Sequence, residues 1–438
     1  MGKEQFFPSK MIGIFHSIAG RVFYGWWIVV LGSLINGIGM GIIYHSFTVF
    51  FLPLKRDLGM SSAAISLLYG AARLEGGIDG PIVGHLIDRF WPRMLIMVGA
   101  SLAGIGLILL SIVHNFLTFF LIYVFVVALG SNAGFFHPVS TAVNRWFIRR
   151  RGLGFSIISA SGAIGGMIMA PLLSYIILNF GWRKGAIFAG LMILIVALPA
   201  ALFMKRSPEA MGLYPDGQPP LKNQIEELKS VRQEATEVDF TVREALRTLH
   251  FWLLTVGISL RLLVTVALNT HFVPILVWKG MSEAAGAYLV SLSALTSILA
   301  MLALGWLGDR WNKSLICSLC IIPTIVAMMG MIFSKETAIL YFFPIAFAIT
   351  YATAPLNWAL IGDFFGRSRY ATLRGIMGVG YGTATFLSPI YAGWVFDRNG
   401  SYSIVFITFS IILLIAASFF AILRPPSPPG SKNEPVIP

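Results

Sequence analysis

Three charged residues stand in a stretch otherwise fit for lipid: Arg73, Glu75 and Asp79 of RLEGGIDGPIVGHLIDRFWPR, residues 73–93. A charge at the bilayer centre costs roughly 2.5–3.5 kcal/mol on the insertion scale, so three of them need a reason. At about 100° per residue, Arg73 shares a helix face with Gly77, Gly80 and Gly84, a small-residue stripe suited to close helix packing. Glu75 and Asp79 share a different face, so the arginine cannot easily neutralise them within its own helix. Two carboxylates at i and i+4 in low dielectric do not both ionise unless a cation or a basic residue from another helix faces them. Two readings follow. One is a proton- or cation-coupling site at Glu75 assisted by Asp79. The other is a salt-bridge network tying this helix to its neighbours.

Arg261 lies mid-way along another apolar segment and begins a polar stripe, Arg261, Thr265 and Asn269, on one helical face. An arginine in such a place grips a carboxylate in bidentate fashion, or pairs with a protein acid such as Glu75. Further polar positions within apolar segments are Ser33, Asn36, Tyr44, Asn132, Ser161, Thr350, Thr353, Asn357 and Tyr381, each equally able to bond a neighbouring helix. His45, His137 and His271 titrate near neutral pH in the free side chain but show no metal spacing. Cys317 and Cys320 are the only cysteines and read as helix filler. The glycine runs at Gly37–Gly41 and Gly162–Gly166 follow no strand and read as packing glycines rather than nucleotide loops. No Walker sequence, metalloprotease motif or catalytic constellation is present, so neither enzyme, metal nor cofactor is expected.

The elements that must hold these residues are membrane spans. Only 12% of the 438 residues are charged and 57% are hydrophobic, with mean hydropathy +0.79, against about 25% charged in a soluble domain. Twelve segments have the roughly 20 mostly apolar residues a span requires. They are residues 22–51, 62–87, 94–113, 116–143, 153–178, 185–204, 251–276, 283–307, 314–333, 337–362, 371–395 and 402–423. Residues 205–250 form a polar linker between two groups of six. Within it Thr241-Val242-Arg243-Glu244 has capping-box spacing, which predicts a short surface helix. The organisation is therefore a tail (1–21), a first bundle (22–204), the linker, a second bundle (251–423) and a tail (424–438). Of the 32 basic residues, the outer loops hold only Lys55, Arg56, Arg183, Lys184, Lys279, Lys335 and Arg398. Both termini are therefore expected in the cytoplasm. The N-terminal tail is read as retained rather than as a signal peptide. This placement accounts for the net charge of +13 through anionic headgroups rather than nucleic acid.

The chain repeats itself. Gly84-x-Leu86-x-Asp88-Arg89 recurs as Gly305-x-Leu307-x-Asp309-Arg310, Arg151-Gly152 has an echo in Arg374-Gly375, and His45 in His271, all at nearly constant separation. Two halves in parallel repeat are a pattern of secondary transporters. Twelve helices as six plus six, a long central loop and the duplicated G-x-L-x-D-R resemble the major facilitator superfamily over essentially the whole chain. Trp91 departs from the glycine usual in the family's first motif. Tyr24-Gly25-Trp26-Trp27, the Arg-Leu-Glu-Gly-Gly run and Phe147 before Arg149-Arg150-Arg151-Gly152 are similar to the branch with oxalate/formate and monocarboxylate porters. The resemblance implies that helices 1, 4, 7 and 10 line a central cavity. It also implies that Asp88 sits against the N-terminus of helix 11 near Ala371 and Thr372, supported by Arg89 and Arg93, with Asp309 and Arg310 acting likewise near Gly152. Such contacts form a conformational latch at the positive end of a helix dipole. The branch usually carries an Asp and an Arg in helix 8, whereas residues 284–307 contain no charge. A basic residue within helix 11 is also expected, and here Arg374 lies only near its start. Arg261 or Arg73 would have to replace these.

The expectation is an all-α integral membrane protein, twelve transmembrane helices in the major facilitator fold. It is expected to act as a monomeric secondary transporter in the plasma membrane, working by alternating access. The substrate is a small organic anion, a mono- or dicarboxylate, with a proton as coupling ion and the lipid bilayer as the other partner. Arg261, Asn36, Tyr44, Thr265, Asn269, Asn357 and His137 are the expected substrate contacts, and Glu75 with Asp79 the coupling site. The rival readings are efflux of amphipathic or cationic compounds, using the two carboxylates as a cation site, and a membrane sensor that binds without transporting.

Overall fold

The computed structural model describes residues 22–59, 62–218, 239–333 and 336–427. The expected N-terminal tail, the middle of the linker and most of the C-terminal tail lie outside the described residues. The described chain is helical almost throughout, in twelve long elements. They are α1 (Tyr24–Met40, a π turn Gly41–His45, then Phe47–Asp57), α2 (Ser62–Ile78 and Gly80–Arg89), α3 (Pro92–Leu110), α4 (Phe116–Ile122, Tyr123–Ala128, Leu129–Gly134 and Phe136–Trp146), α5 (Arg151–Phe180) and α6 (Trp182–Leu202). The second six are α7 (Leu249–Thr270 and Phe272–Trp278), α8 (Glu283–Gly308), α9 (Lys313–Phe333), α10 (Thr337–Tyr351 and Ala354–Phe365), α11 (Tyr370–Asn399) and α12 (Ser403–Ile422). Among the described residues, ten segments are long and apolar enough to cross a membrane. The two helices outside that set are α2, which bends at Asp79 just before Pro81, and α11, rich in glycine and polar residues. The proline lacks the N–H needed to continue the helical ladder through the bend.

Local chemistry sets the ends. Asn115 caps α4 by accepting from the Thr118 amide at 2.8 Å. Gly181, at φ 86°, makes the turn between α5 and α6 that a side chain would strain. The predicted capping box forms: the Thr241 hydroxyl accepts from the Glu244 amide, and the Glu244 carboxylate accepts from the Thr241 amide, starting a surface helix Val242–Arg247. The Thr241 backbone and hydroxyl donors hold the Glu244 carboxyl below its ordinary range. α1 and α7 break at matching places, at Ser46 beside His45 and at His271, so the histidine echo marks a repeated helix break.

Two seams join the first six helices to the second. Along α2 and α11, added Cβ atoms on Gly84 and Gly375 would strike the carbonyls of Ala371 and Gly80, and one on Gly77 would stand 3.2 Å from the Gly378 carbonyl. The glycine face predicted for α2 is therefore a contact face. Along α5 and α8, a Cβ on Gly152 would lie 2.8 Å from the Gly305 carbonyl, and one on Gly305 would crowd Ser156. The linker docks on both halves. The Asp216 carboxylate accepts from the amides of Ile148, Arg149 and Arg150 in the α4–α5 loop. Asp239 accepts from Arg367 and Ser368 in the matching α10–α11 loop. The face carrying these loops is called the linker face below.

Candidate functional site

Glu75 and Asp79 are neighbours on one side of α2. Asn132 of α4 donates Nδ2 to Glu75 Oε2 at 2.9 Å, and the Tyr44 hydroxyl of α1 donates to Asn132 Oδ1 at 3.1 Å. Gly76 makes room for this contact, since a Cβ there would lie 2.6 Å from Asn132 Nδ2. Both Asp79 oxygens are buried and make no well-formed hydrogen bond, though Glu75 and Asn132 lie close by. Among the described side chains no cation forms an ion pair with either carboxylate; the Arg73 side chain lies outside them. The partner that the sequence leaves unnamed is thus, for Glu75, a neutral amide from α4.

A buried cation lies at a position the sequence puts near the start of helix 11. Arg374 is 3% exposed. Its guanidinium lies between the rings of Phe136 on α4, 4.6 Å away, and Trp358 on α10, 4.5 Å away. Nη1 donates to Ser140 Oγ at 2.6 Å, while Nε meets no acceptor in the protein. Tyr381 packs on Trp358 with ring centroids 5.7 Å apart, and both Arg374 and Asp79 lie within its electrostatic reach. His137 is also beside Arg374, its Nδ1 buried and unpartnered. A polar chain therefore runs from Tyr44 through Asn132 to Glu75, beside Asp79, and Tyr381 and Arg374 of the second six helices form a separate polar group.

Arg261 is a second fully buried guanidinium, 0% exposed. With the Asn357 amide oriented to present its oxygen, that oxygen accepts from Nε at 2.8 Å and from Nη2 at 3.0 Å. Nη1 donates to the Thr350 carbonyl at 3.3 Å. These contacts cross-link α7 to α10. Neither Arg261 nor Arg374 forms an ion pair with a carboxylate among the described residues. A buried charge without a counter-charge is costly, and both arginines have lost most of their water.

The other expected contacts are distributed differently. Asn36 donates to the Ile158 carbonyl at 2.9 Å and to Ser161 at 3.3 Å, bridging α1 and α5. Thr265 is buried and bonds the Leu262 carbonyl of its own helix, whereas Asn269 is exposed. Thr350 and Thr353 are engaged around α9 and α10, and His271 bridges Tyr402 and the Pro389 carbonyl.

At the linker face, Asp88 accepts from the amides of Ala371 and Thr372 at 3.2 and 2.8 Å and from the Thr372 hydroxyl at 2.7 Å. Asp309 accepts from the Gly152 and Leu153 amides at 2.6 and 2.9 Å. The cation paired with Asp88 is Arg145, at 3.9 Å, where Arg89 and Arg93 were expected. Arg89 stacks over Phe90, and Arg310 lies 3.8 Å over the ring of Trp306. Arg151 pairs with Asp363 of α10 at 2.7 Å, and Asp363 also pairs with Lys313 at 2.8 Å. The register of these contacts corrects one expected echo. Asp309 reaches the second and third residues of α5, and Asp88 the second and third of α11. The counterpart of Arg151 is then Tyr370, and Arg374 lies one turn deeper.

Arg374 and Asn132 are the residues that sequence reasoning underweighted. A usable signal was present: Arg374 and Tyr381 are seven residues apart, on one helical face.

Twelve helices in two joined sixes around buried polar residues define a polytopic membrane carrier. The sequence model of the Major Facilitator Superfamily matches residues 29–355 and 262–437, and the chain belongs to that superfamily of transporters. It is 26% identical over 418 residues to monocarboxylate transporter 3 of Rattus norvegicus, covering 91% of this chain and 80% of that one. It is 23% identical over 368 residues to the uncharacterized MFS-type transporter YhjX of Escherichia coli, covering 81% and 85% respectively. The crystal structure of the MFS transporter FucP in the outward conformation shares the fold at TM-score 0.66 and 13% identity, covering 91% of this chain and 99% of that chain.

Proposed function

We propose that this transporter moves a small organic anion, a mono- or dicarboxylate, by alternating access with proton coupling. The reading also takes it to be a monomer in the plasma membrane with both termini cytoplasmic, so that the linker face is the inner face. The observation that carries the proposal is the pair of buried arginines, Arg261 and Arg374, without a carboxylate partner among the described residues. A substrate carboxylate would supply the missing negative charge, and the free Nε of Arg374 is a donor aimed at no protein atom. The likeness to monocarboxylate transporters points the same way.

In this account Arg374 is the principal anion contact and Arg261 the second, with His137 beside Arg374, Asn357 on Arg261, and Tyr44 on the Asn132 side of the cavity. Asn36, Thr265 and Asn269 serve mainly to hold helices or line the entrance. Glu75, braced by Asn132 and next to Asp79, takes up the proton. Tyr381 stands between proton and anion sites, so loading one changes the field at the other. The closed linker face corresponds to access from outside. Release of the Asp88 and Asp309 contacts then opens the inside.

The test is uptake of labelled lactate and oxalate into proteoliposomes with and without an imposed pH gradient. Arg374→Gln is expected to lower uptake about a hundredfold, the effect of losing roughly 3 kcal/mol of charge-assisted binding. Arg261→Gln is expected to lower it less. Glu75→Gln is expected to abolish accumulation driven by the gradient while exchange persists. Uptake undiminished in both arginine variants contradicts the anion assignment, and gradient-driven accumulation in Glu75→Gln contradicts the coupling assignment.

A further inference from the structure

A cavity of about 940 Å³ opens on the linker face, outside the polar groups just described. Arg89, Arg145, Arg206, Arg367 and Arg369 all line it. They come from α2, α4, the linker and the α10–α11 loop. The carboxylates in its wall are already engaged: Asp88 by the α11 amides, Asp239 by the Arg367 and Ser368 amides, and Glu209 by Arg367 at 2.9 Å. Arg145 pairs with Asp88 at 3.9 Å and also lies within the field of Arg206, Arg367 and Glu209, so five guanidiniums face three carboxylates around this space. An excess of basic residues on an inner face is ordinary in a membrane protein. Convergence of five guanidiniums from four chain segments on one open space, in excess of the carboxylates there, is not. Guanidinium forks match phosphate oxygens in geometry and charge.

We infer that this cleft binds a small phosphate-bearing anion, which bridges the two halves of the transporter and holds the linker face closed. The bridge follows from the origin of the arginines. Arg145 belongs to the first six helices, Arg367 and Arg369 to the second, and Arg206 to the linker, so separating the halves at this face disperses the site. A soluble anion reaches the cleft from the aqueous phase; a lipid headgroup would bring the same phosphate from the membrane edge. The inference does not depend on which substrate is carried.

The experiment is thermal unfolding of the purified full chain in detergent, at constant ionic strength, with inorganic phosphate or pyrophosphate replacing chloride. The wild type is expected to gain a few degrees in Tm at saturation, since a ligand stabilises the state it binds. Arg206→Ala and the double variant Arg206→Ala/Arg369→Ala, both at exposed positions, are expected to lose most of that gain. Arg398→Ala, outside the cleft, is expected to keep it. A parallel series in nanodiscs with and without phosphatidic acid separates the sources. A gain from soluble phosphate assigns the site to a free anion, and a gain only from phosphatidic acid, again lost in the double variant, assigns it to a headgroup. No gain from either source, or a gain undiminished in the double variant, overturns the inference.

Discussion

The two aspartate contacts on the linker face, Asp88 with α11 and Asp309 with α5, are built from the same duplicated motif, yet they differ in what surrounds them. Asp88 has a side chain with no exposed surface, three donors from α11 and a cation at 3.9 Å. Asp309 has two amide donors from α5, Lys313 at 4.0 Å, and 10% of its side chain exposed. The first residue of the receiving helix differs more. On α5 it is Arg151, paired with Asp363. On α11 it is Tyr370, fully buried, whose hydroxyl makes no well-formed hydrogen bond. The cation of α11 sits one turn deeper, as Arg374, between two aromatic rings. α5 and α10 are thus joined by an ion pair at this face. On α11 that deeper arginine pairs with no carboxylate among the described residues.

Breaking these contacts ranks them. Asp88→Asn removes the charge from three hydrogen bonds in a fully buried setting. It is expected to weaken the closed linker face by about 3 kcal/mol. Maleimide labelling of a cysteine placed at Thr141, with Cys317 and Cys320 replaced by serine, should then quicken roughly a hundredfold. Asp309→Asn is expected to quicken it only about tenfold, because this carboxylate has fewer donors and more solvent. Equal effects, or the reverse order, would show that the differences in burial and donors do not govern closure of this face.

The residues beside these contacts sharpen the contrast at smaller amplitude. Asp363→Asn leaves Arg151 buried without its partner. It is expected to cost about 2–3 kcal/mol, below the usual range for a buried pair because Asp363 keeps a quarter of its side-chain surface. Tyr370→Phe, at the matching position, is expected to change stability by less than about 1 kcal/mol. Denaturation midpoints of the two variants in detergent check both figures, and a larger loss in Tyr370→Phe would reverse the comparison.

Much of this was legible in the chain. Apolar length and short polar breaks gave the twelve spans. The duplicated G-x-L-x-D-R, through the family resemblance it carries, placed Asp88 and Asp309 against the starts of α11 and α5, and the glycine period of α2 announced its seam with α11. The helix angle separating Arg73 from Glu75 and Asp79 also indicated that the carboxylates needed a partner from another helix. The partner itself was not legible. Asn132 and Arg374 are ordinary residues at ordinary spacing, and their roles depend on which helices meet. Arg374 counted as one more basic residue near a helix start, although the span read from the sequence already contained it, since nothing local shows that Phe136 and Trp358 from other helices close around it. The Arg151 echo reinforced that reading, because similar dipeptides can stand one turn out of register.

The central claim is that Arg374 of α11, held between Phe136 and Trp358, is the anion site. The most direct measurement is the thermal stability of the purified chain titrated with lactate, oxalate and tetraphenylphosphonium, in the wild type, Arg374→Gln and Arg261→Gln. The account predicts stabilisation of the wild type by a carboxylate and not by the organic cation, with the response abolished in Arg374→Gln and weakened in Arg261→Gln. Stabilisation by tetraphenylphosphonium alone, or a carboxylate response that survives unchanged in Arg374→Gln, would contradict it.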